Sequence, residues 1–196
     1  MKRFKAVFFG LVLLSASAVS QTGGWMLDKA HSKVTFGVKH MVISEVEGSF
    51  GDFDIAVNAS KPDFTDGTVD GSIKVASINT ENAGRDRHLK SDDFFNADLY
   101  PEIVFKGTSV EKTADGKYKI KGNLTIRDVT KPVTFDAEFN GTLQTSRATL
   151  SAWKATLALN RFDYGLKWNK TIETGGFVVG EMVTITLLLE FNKANT

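Results

Sequence analysis

Apolar and polar residues alternate with a period of two along most of this chain. The pattern is clearest in 133–140, where the sequence VTFDAEFN places an apolar residue at every second position. Because successive side chains of a strand point to opposite faces, this period predicts a strand with one buried face. The same pattern defines seven further segments, which are 34–40, 48–57, 68–78, 103–110, 117–126, 149–160 and 177–191.

Glycine and proline mark where these strands bend or turn. Gly51 falls where the apolar phase of 48–57 slips by one residue, which predicts a bulge or a sharp bend. The Asp-Gly pair at 115–116 is a strong hairpin signal between two predicted strands. The Thr-Lys-Pro triplet at 130–132 predicts the next turn, and 58–67 predicts a loop.

Eight strands joined mostly by short turns predict an all-β fold, either an antiparallel barrel or a sandwich. A single closed eight-stranded antiparallel barrel is favoured, because several strands exceed nine residues and closure removes the exposed edges they would offer. No strand segment shows a sustained helical period, so one domain without linkers is expected. A barrel of about eight strands is wide enough to hold one small ligand.

One segment, 80–101, breaks the strand pattern. Its sequence, TENAGRDRHLKSDDFFNADLYP, is dense in charged and aromatic residues and predicts two short helical turns near 82–96. Asp86 and Lys90 stand four residues apart with the acid first, which is the favourable order for a helical ion pair. Ser91, followed by two acidic residues, is expected to cap the second turn.

The first twenty residues have the three parts of a secretory signal peptide. Three basic residues precede an apolar run from 6 to 14, and small residues then offer a cleavage site. The run is too short to cross a bilayer, which needs roughly 20 apolar residues. Cleavage is expected after Ala18, with Ser20 as the alternative, so the predicted organisation is a signal peptide at 1–20 and one domain at 21–196.

Composition narrows the function classes. Removing the three basic residues of the signal peptide from 24 leaves 21 Lys and Arg against 23 Asp and Glu, a net charge near −2. A nucleic-acid-binding domain would carry an excess of basic residues, so that function is excluded. The chain has no cysteine, which excludes a disulfide framework and a lipoprotein anchor. Export is therefore expected to deliver an unanchored domain, with no membrane span, to the periplasm or the exterior.

The sequence offers little for catalysis or metal binding. His31, His40 and His88 are its only histidines, and none stands at metal-ligand spacing from another ligand residue. No cysteine or GxSxG motif marks a nucleophile, and helix capping explains the carboxylate pair at 92–93. We therefore predict no enzymatic activity, no metal and no cofactor. His88 is interpreted as part of a polar network that ties the insertion to the barrel rim.

The aromatic content favours a binding role. The chain has 15 Phe, 3 Trp and 3 Tyr, and flat apolar side chains suit the wall of an elongated cavity, although core packing is the simpler interpretation for any one residue. Since the interior of a small barrel is its more apolar side, residues in the dominant apolar phase of each strand are predicted to line a ligand cavity. They are Phe36, Val38, Ile73, Val75, Phe105, Leu124, Ile126, Phe135, Trp153, Leu157, Phe177 and Ile185.

Short motifs spread over the predicted domain carry a family resemblance. They are DKAHS at 28–32, VTFGVKHM at 34–41, GSF at 48–50, RDRHLKS at 85–91, DFF at 93–95, YP at 100–101, GNLTI at 122–126, VTKPV at 129–133, RFDYG at 161–165 and VTI at 183–185. With these motifs the chain resembles the YceI-like family, exported bacterial proteins with a lipocalin-like β-barrel that bind polyisoprenoid or related long-chain lipids. Asp128 departs from the family pattern, which often has glycine there, but Asp also suits a turn.

The resemblance implies a lipocalin-like, non-enzymatic protein of the periplasm or exterior that binds, sequesters or transports one long-chain lipid such as a polyisoprenoid. Two interpretations of the basic residues in the insertion stay open, a site for the lipid head group or a salt-bridged cap on the barrel; these residues are Arg85, Arg87, His88 and Lys90. A stress-related interaction module with a side-chain-filled barrel is the alternative function, and a lipid hydrolase is a third. The oligomeric state is also open, with a homodimer among the alternatives.

Overall fold

The structure, a computed structural model, describes residues 24–171 and 177–194. The predicted signal peptide at 1–20 lies outside the described residues. Within these ranges the chain forms eleven β-strands and one α-helix. The strands are β1 (Gly24–Leu27), β2 (Lys33–His40), β3 (Ser44–Phe50), β4 (Phe53–Asn58), β5 (Thr68–Lys74), β6 (Ile78–Asn79), β7 (Glu102–Ala114), β8 (Lys117–Ile126), β9 (Val129–Gln144), β10 (Ala148–Asn160) and β11 (Val179–Ala194), and the helix is α1 (Ala83–Lys90).

The strands close into one antiparallel barrel. Their hydrogen-bonded order is β1-β4-β5-β7-β8-β9-β10-β11, and β11 pairs with β1 to complete the ring. β2 continues β1 along the same edge of β11, β3 runs into β4, and β5 runs into β6. The eleven strands therefore make eight barrel staves. This arrangement confirms the predicted closed eight-stranded barrel with a short helical insertion.

Three neighbouring staves are each broken by a bend. The breaks lie at 28–32, 51–52 and 75–77, and the last of them is a 3-10 turn. The predicted bend at Gly51 is confirmed, and the Gly51 amide donates to the carbonyl of Ser77 at 3.2 Å, which joins two of the bends. Adjacent bends of this kind let a sheet curl tightly enough to close.

One of the two predicted turns is confirmed and the other is wrong. The hairpin predicted at 115–116 joins β7 to β8. The turn predicted at 130–132 is misplaced, because the chain already turns at 127–128 and 130–132 pairs with β8 inside β9. Pro132 lies opposite Asn123 of β8 but outside the described pairing of β10 with β9, which stops at Asp136, so no β10 residue requires an N–H donor there.

The insertion forms one helix rather than two helical turns. α1 begins after Asn82, whose side-chain oxygen accepts from the Arg85 amide at 2.9 Å. Ser91 ends this helix instead of capping a second one: its hydroxyl donates to the His88 carbonyl at 2.7 Å, and 92–95 continues as turns. In the described ranges no helix is both long and apolar enough to cross a bilayer.

Thr80 anchors α1 to the barrel. Asp86 does not pair with Lys90 as predicted, because its carboxylate accepts from the Thr80 amide and hydroxyl at 2.9 and 2.6 Å. The Arg85 guanidinium donates to the hydroxyl and carbonyl of the same threonine at 2.8 and 2.7 Å. Arg85 and Asp86 therefore hold the insertion in place.

The two ends of the barrel are covered by different segments. We call the end that carries the insertion 80–101 and the turns 41–43 and 127–128 the helix end. The opposite end, where the loop 59–67 and the hairpin 115–116 lie, is the loop end.

The loop end is closed by an aromatic side chain from its own loop. Phe64 is only 4% exposed although its neighbours in the loop are polar. Its ring packs at centroid distances of 5.0 to 5.4 Å against three rings of the barrel wall, which are Trp25, Phe139 and Trp153. The Tyr118 hydroxyl donates to the carbonyl of Asp63 at 3.0 Å and fixes the loop across the barrel. We call Phe64 and the three rings that it contacts, those of Trp25, Phe139 and Trp153, the aromatic plug.

Candidate ligand-binding cavity

An apolar cavity of about 190 Å³ lies inside the barrel next to the helix end. For scale, about 150 Å³ is enough to hold a benzene-sized ligand. Inward-facing side chains of the staves form most of its wall. Leu89, Phe94 and Phe95 of the insertion complete the wall, so the insertion acts as the cover of the cavity.

Eight of the twelve residues predicted to line a cavity do border it. Each lies on a stave and points inward, as the period-two phase predicts. They are Phe36, Val38, Ile73, Phe105, Leu124, Ile126, Phe135 and Ile185. Whether they contact a ligand stays a prediction.

Two of the other four predicted residues are packed in the core and do not border this cavity. Val75 is 1% exposed and begins the 3-10 turn 75–77, so the period-two phase of its stave ends one residue before it. Leu157 points inward between Ala155 and Leu159, which do border the cavity, but its own side chain is covered by core neighbours and is 8% exposed.

The remaining two predicted residues lie elsewhere. Trp153 belongs to the aromatic plug and borders a second, smaller cavity near the loop end. Phe177 is 40% exposed and precedes β11, which begins at Val179. The predicted strand 177–191 therefore starts two residues too early. Phe177 forms an isolated bridge with Thr171 rather than a part of the barrel wall.

The second cavity, of about 50 Å³, lies between the main cavity and the aromatic plug. The two cavities share part of their walls, and the side chains common to both are Ile55, Val69, Ile120, Ala155 and Leu189. The barrel interior is therefore an apolar path that starts under the insertion, narrows at these side chains and ends at the plug.

Two glycines make room for rings in the cavity wall. A Cβ atom at Gly48 would lie 2.4 Å from the Phe36 ring, and one at Gly122 would lie 2.4 Å from the Phe105 ring. Contacts that short do not occur, so any larger residue would push these rings toward the cavity. The two glycines thus help to keep the space open.

The basic residues predicted for a head group do not border the cavity. They are Arg85, Arg87, His88 and Lys90. The Arg85 guanidinium donates its hydrogen bonds to Thr80. The His88 Nε2 atom lies 2.8 Å from a carboxylate oxygen of Asp93, and its ring packs edge-on against Trp168 at 4.8 Å. These contacts fit the predicted polar network at the rim, and the insertion turns its apolar side chains toward the cavity.

Arg161 is the ionisable residue in the cavity wall that the sequence did not single out. It opens a 3-10 turn directly after β10 and is 4% exposed. Its guanidinium donates to four backbone carbonyls, those of Leu166, Trp168 (2.9 Å), Val179 (3.1 Å) and Gly180 (2.8 Å). Burial lowers the pKa of this guanidinium from its ordinary value. Its one sequence signal is its place in the RFDYG motif.

A second polar cluster lies on the outside of the barrel. Asp28, His31 and Glu190 offer oxygen and nitrogen atoms that all lie within 4.8 Å of one another, a distance that suits a cation. The His31 Nδ1 atom is 3.0 Å from the Asp28 carboxylate, and this hydrogen bond raises the pKa of His31 and lowers that of Asp28. Asp28 is half-buried and His31 is exposed, and their hydrogen bond lies within the break at 28–32.

The sequence and the fold place the chain among known proteins. The family model described as a YceI-like domain matches residues 25–191. The chain belongs to the YceI-like family. The UPF0312 protein SA2479 of Staphylococcus aureus strain N315 is 39% identical over 167 residues, which are 84% of this chain and 95% of the relative. The family predicted from the motifs is confirmed.

Solved structures share the YceI-like barrel. The YCEI protein of Campylobacter jejuni superposes with a TM-score of 0.70 at 33% identity and covers 86% of this chain and 97% of its own. BcnA of Burkholderia cenocepacia gives a TM-score of 0.72 at 24% identity, with coverages of 84% and 98%. A polyisoprenoid binding domain from Saccharophagus degradans, implicated in plant cell wall breakdown, gives 0.60 at 15% identity, with coverages of 87% and 98%. The last two show the shared fold alone.

Proposed function

We propose that this YceI-like protein binds one long apolar chain, a polyisoprenoid or a similar lipid, inside its barrel. The observation that carries the proposal is the cavity of about 190 Å³ under the insertion. Its wall is apolar except for Arg161 and the hydroxyls of Thr35 and Ser72. The polyisoprenoid binding domain of Saccharophagus degradans, which has the same fold, supports the choice of chain.

Burial of the chain provides the affinity. Each methylene group removed from water contributes about 0.8 kcal/mol, so the twenty carbons of four isoprene units contribute about 16 kcal/mol. Micromolar binding requires about 8 kcal/mol, which leaves about 8 kcal/mol to offset the cost of ordering the chain. An apolar wall of this kind needs no charge pair to hold a hydrocarbon. It discriminates by shape and apolarity, and accepts branched chains that fit between the rings.

The position of the second cavity sets the direction of the chain. A ligand longer than the main cavity extends toward the loop end and moves the five shared side chains apart. The aromatic plug then stops it. We therefore expect the apolar tail to point at the plug and the other end of the ligand to lie under the insertion.

The bound chain is carried without chemical change. Arg161 is the single ionisable residue among the wall residues that the structure describes. Acid-base catalysis needs a proton donor or acceptor within hydrogen-bond reach of the reacting atom, and nucleophilic catalysis needs an activated side chain. A YceI-like barrel is a binding fold, and this cavity offers neither requirement.

We place this binding in the periplasm or outside the cell, because the predicted signal peptide directs export. A lipid chain in that aqueous space needs a protein that shields it from water. Sequestration and transport between membranes both fit a barrel that covers its ligand with a small helical insertion.

Extraction of the protein from its own periplasm tests the proposal. Organic extraction followed by mass spectrometry is expected to recover a long-chain prenyl lipid in about equimolar amount. If no chain is recovered, and delipidated protein also fails to bind geranylgeraniol, the cavity is not a lipid site. In that case the barrel functions through its surface, as an interaction module would.

A further inference from the structure

Arg161 is a buried cation without a carboxylate partner. It is 4% exposed and forms no ion pair with any residue that the structure describes. Glu181 acts on Arg161 only through the electric field of its charge, because its carboxylate accepts instead from the Asn160 amide at 3.2 Å. Burial of an unpaired charge is costly in protein interiors, and it persists where further interactions stabilise the charge.

The carbonyl contacts of Arg161 leave one donor without a partner. A guanidinium carries five N–H groups. Nε donates to Gly180, Nη1 to Leu166 and Trp168, and Nη2 to Val179. The second N–H of Nη2 has no acceptor among the described residues, although the side chain borders the cavity.

Two rings hold the guanidinium in place beside the cavity. The Phe162 ring centroid lies 4.5 Å from its central carbon, and that of Phe94 lies 6.0 Å away. Phe94 is itself part of the cavity wall. The carbonyls and rings together keep the side chain away from solvent. The positive charge of the guanidinium therefore interacts with a ligand in the cavity.

We infer that Arg161 is a binding subsite for an anionic oxygen, a carboxylate or a phosphate, at the end of the apolar chain. The inference rests on the proposed function and specifies the ligand as an amphiphile rather than a hydrocarbon. The free N–H donates to the oxygen, and the ligand supplies a negative charge in direct contact with the guanidinium, which no described carboxylate does. A charge-assisted hydrogen bond in a buried site strengthens binding about 10- to 100-fold.

This subsite differs from the one that the sequence indicated. Arg87 of α1 is exposed and Lys90 is half-buried, and neither borders the cavity. A head group bound by the helix would lie outside the barrel, whereas a head group at Arg161 lies inside it. The two positions predict opposite responses to substitution.

The test compares three ligands with one chain. Geranylgeranoic acid, geranylgeranyl monophosphate and geranylgeraniol are titrated into delipidated protein at about pH 7.5, where the acid is ionised, and their Kd values are measured by displacement of Nile red. The acid and the phosphate are expected to bind about 10- to 100-fold more tightly than the alcohol. The tighter of the two anions identifies the head group.

Variants then locate the effect. In Arg161→Gln the affinity for the two anions is expected to fall until their preference over the alcohol is below about threefold. The double variant Arg87→Gln/Lys90→Gln is the matched control and should keep the full preference. If Arg161→Gln does not fold, the ¹⁵Nε resonance of Arg161 in the wild-type protein decides, because it should shift with the acid and not with the alcohol.

The outcomes separate the subsite from the binding function. Equal affinities of acid, phosphate and alcohol for the wild-type protein overturn the subsite and leave chain binding intact. A preference that survives Arg161→Gln, or disappears in the double variant, assigns the head group to the helix and also overturns the inference. If none of the three ligands binds, the proposed function itself fails.

Discussion

The helix end and the loop end of this barrel use aromatic residues in opposite ways. At the loop end, Phe64 enters the barrel and fills it with three other rings. At the helix end, Phe94 and Phe95 cover the interior without filling it, and a cavity of about 190 Å³ remains beneath them.

The difference shows how one fold combines stability with binding. Rings packed against rings at the loop end contribute core burial and hold the staves together. At the helix end the wall rings pack in pairs around the cavity, Phe36 with Phe50 at 5.6 Å and Phe105 with Phe135 at 5.4 Å, and Gly48 and Gly122 provide the space behind two of them. The loop end should therefore respond to mutation mainly through stability and the helix end mainly through ligand binding.

Removing the plug should give the largest effect. Phe64→Ala deletes a ring that is 4% exposed and contacts three others, so we expect a loss of about 3 to 5 kcal/mol in the free energy of unfolding, measured by urea titration. Phe177→Ala is the control, since that ring is 40% exposed and its loss should cost less than about 1 kcal/mol. Similar losses in the two variants would show that the plug contributes no special stability.

Filling the path should weaken ligand binding strongly, with a smaller effect on stability. Ala155 borders both cavities, so Ala155→Phe places a ring where they meet. We expect an affinity for geranylgeraniol about 100-fold weaker, together with about 1 to 3 kcal/mol of overpacking.

Ala158 provides the matched control on the same strand. It faces outward from β10 and is exposed, so Ala158→Phe should bind geranylgeraniol as the wild-type protein does. Undiminished binding by a folded Ala155→Phe variant would rule out the interior path.

The loop that carries the plug should be weakened by loss of one hydroxyl. Tyr118→Phe removes the hydrogen bond to the Asp63 carbonyl and should cost about 1 kcal/mol near neutral pH. Burial raises the pKa of Tyr118 above its ordinary value, so the unfolded chain loses this proton first. Wild-type stability must then fall as the pH rises above about 10.

The alkaline loss of stability should be smaller in Tyr118→Phe, and unfolding curves recorded over that pH range measure it. Part of the loss remains, because burial also raises the pKa of Tyr164. An unchanged pH dependence in the variant would show that Tyr118 is not the group responsible.

A substitution at the helix end should increase stability slightly. Val42 has a positive φ of 70° and is 67% exposed, and a β-branched residue is strained in that conformation. Val42→Asn should raise the free energy of unfolding by about 1 kcal/mol, measured by thermal unfolding. Ile43→Asn is the control, since Ile43 is 90% exposed without a positive φ. An equal gain there would show that lost surface apolarity, and not backbone strain, is the cause.

Periodicity predicted the staves because alternation depends only on which face of a strand is buried. It did not predict which buried side chains border a void, since Leu157 and Ile185 share the same pattern and differ only in their neighbours in space. It also failed where the backbone leaves the strand conformation, at Val75 and at Phe177.

The features that distinguish the two ends depend on contacts between distant segments. Phe64 is one apolar residue in a polar loop, and nothing local shows that it enters the barrel. The carbonyls around Arg161 come from 166–168 and 179–180, segments that only the folded chain brings together. The density of charged residues indicated a head-group site in the insertion instead, but Arg85 and Asp86 form hydrogen bonds with Thr80 there.

The central claim is that a long apolar chain lies inside the barrel between the insertion and the plug. Nuclear Overhauser effects between ¹³C-labelled geranylgeraniol and the delipidated, reconstituted protein test it most directly. The account predicts contacts from the chain to methyl groups of Leu124, Ile126 and Ile185. Contacts confined to exposed residues such as Leu143 or Leu188, with none to these three methyl-bearing residues, would contradict it.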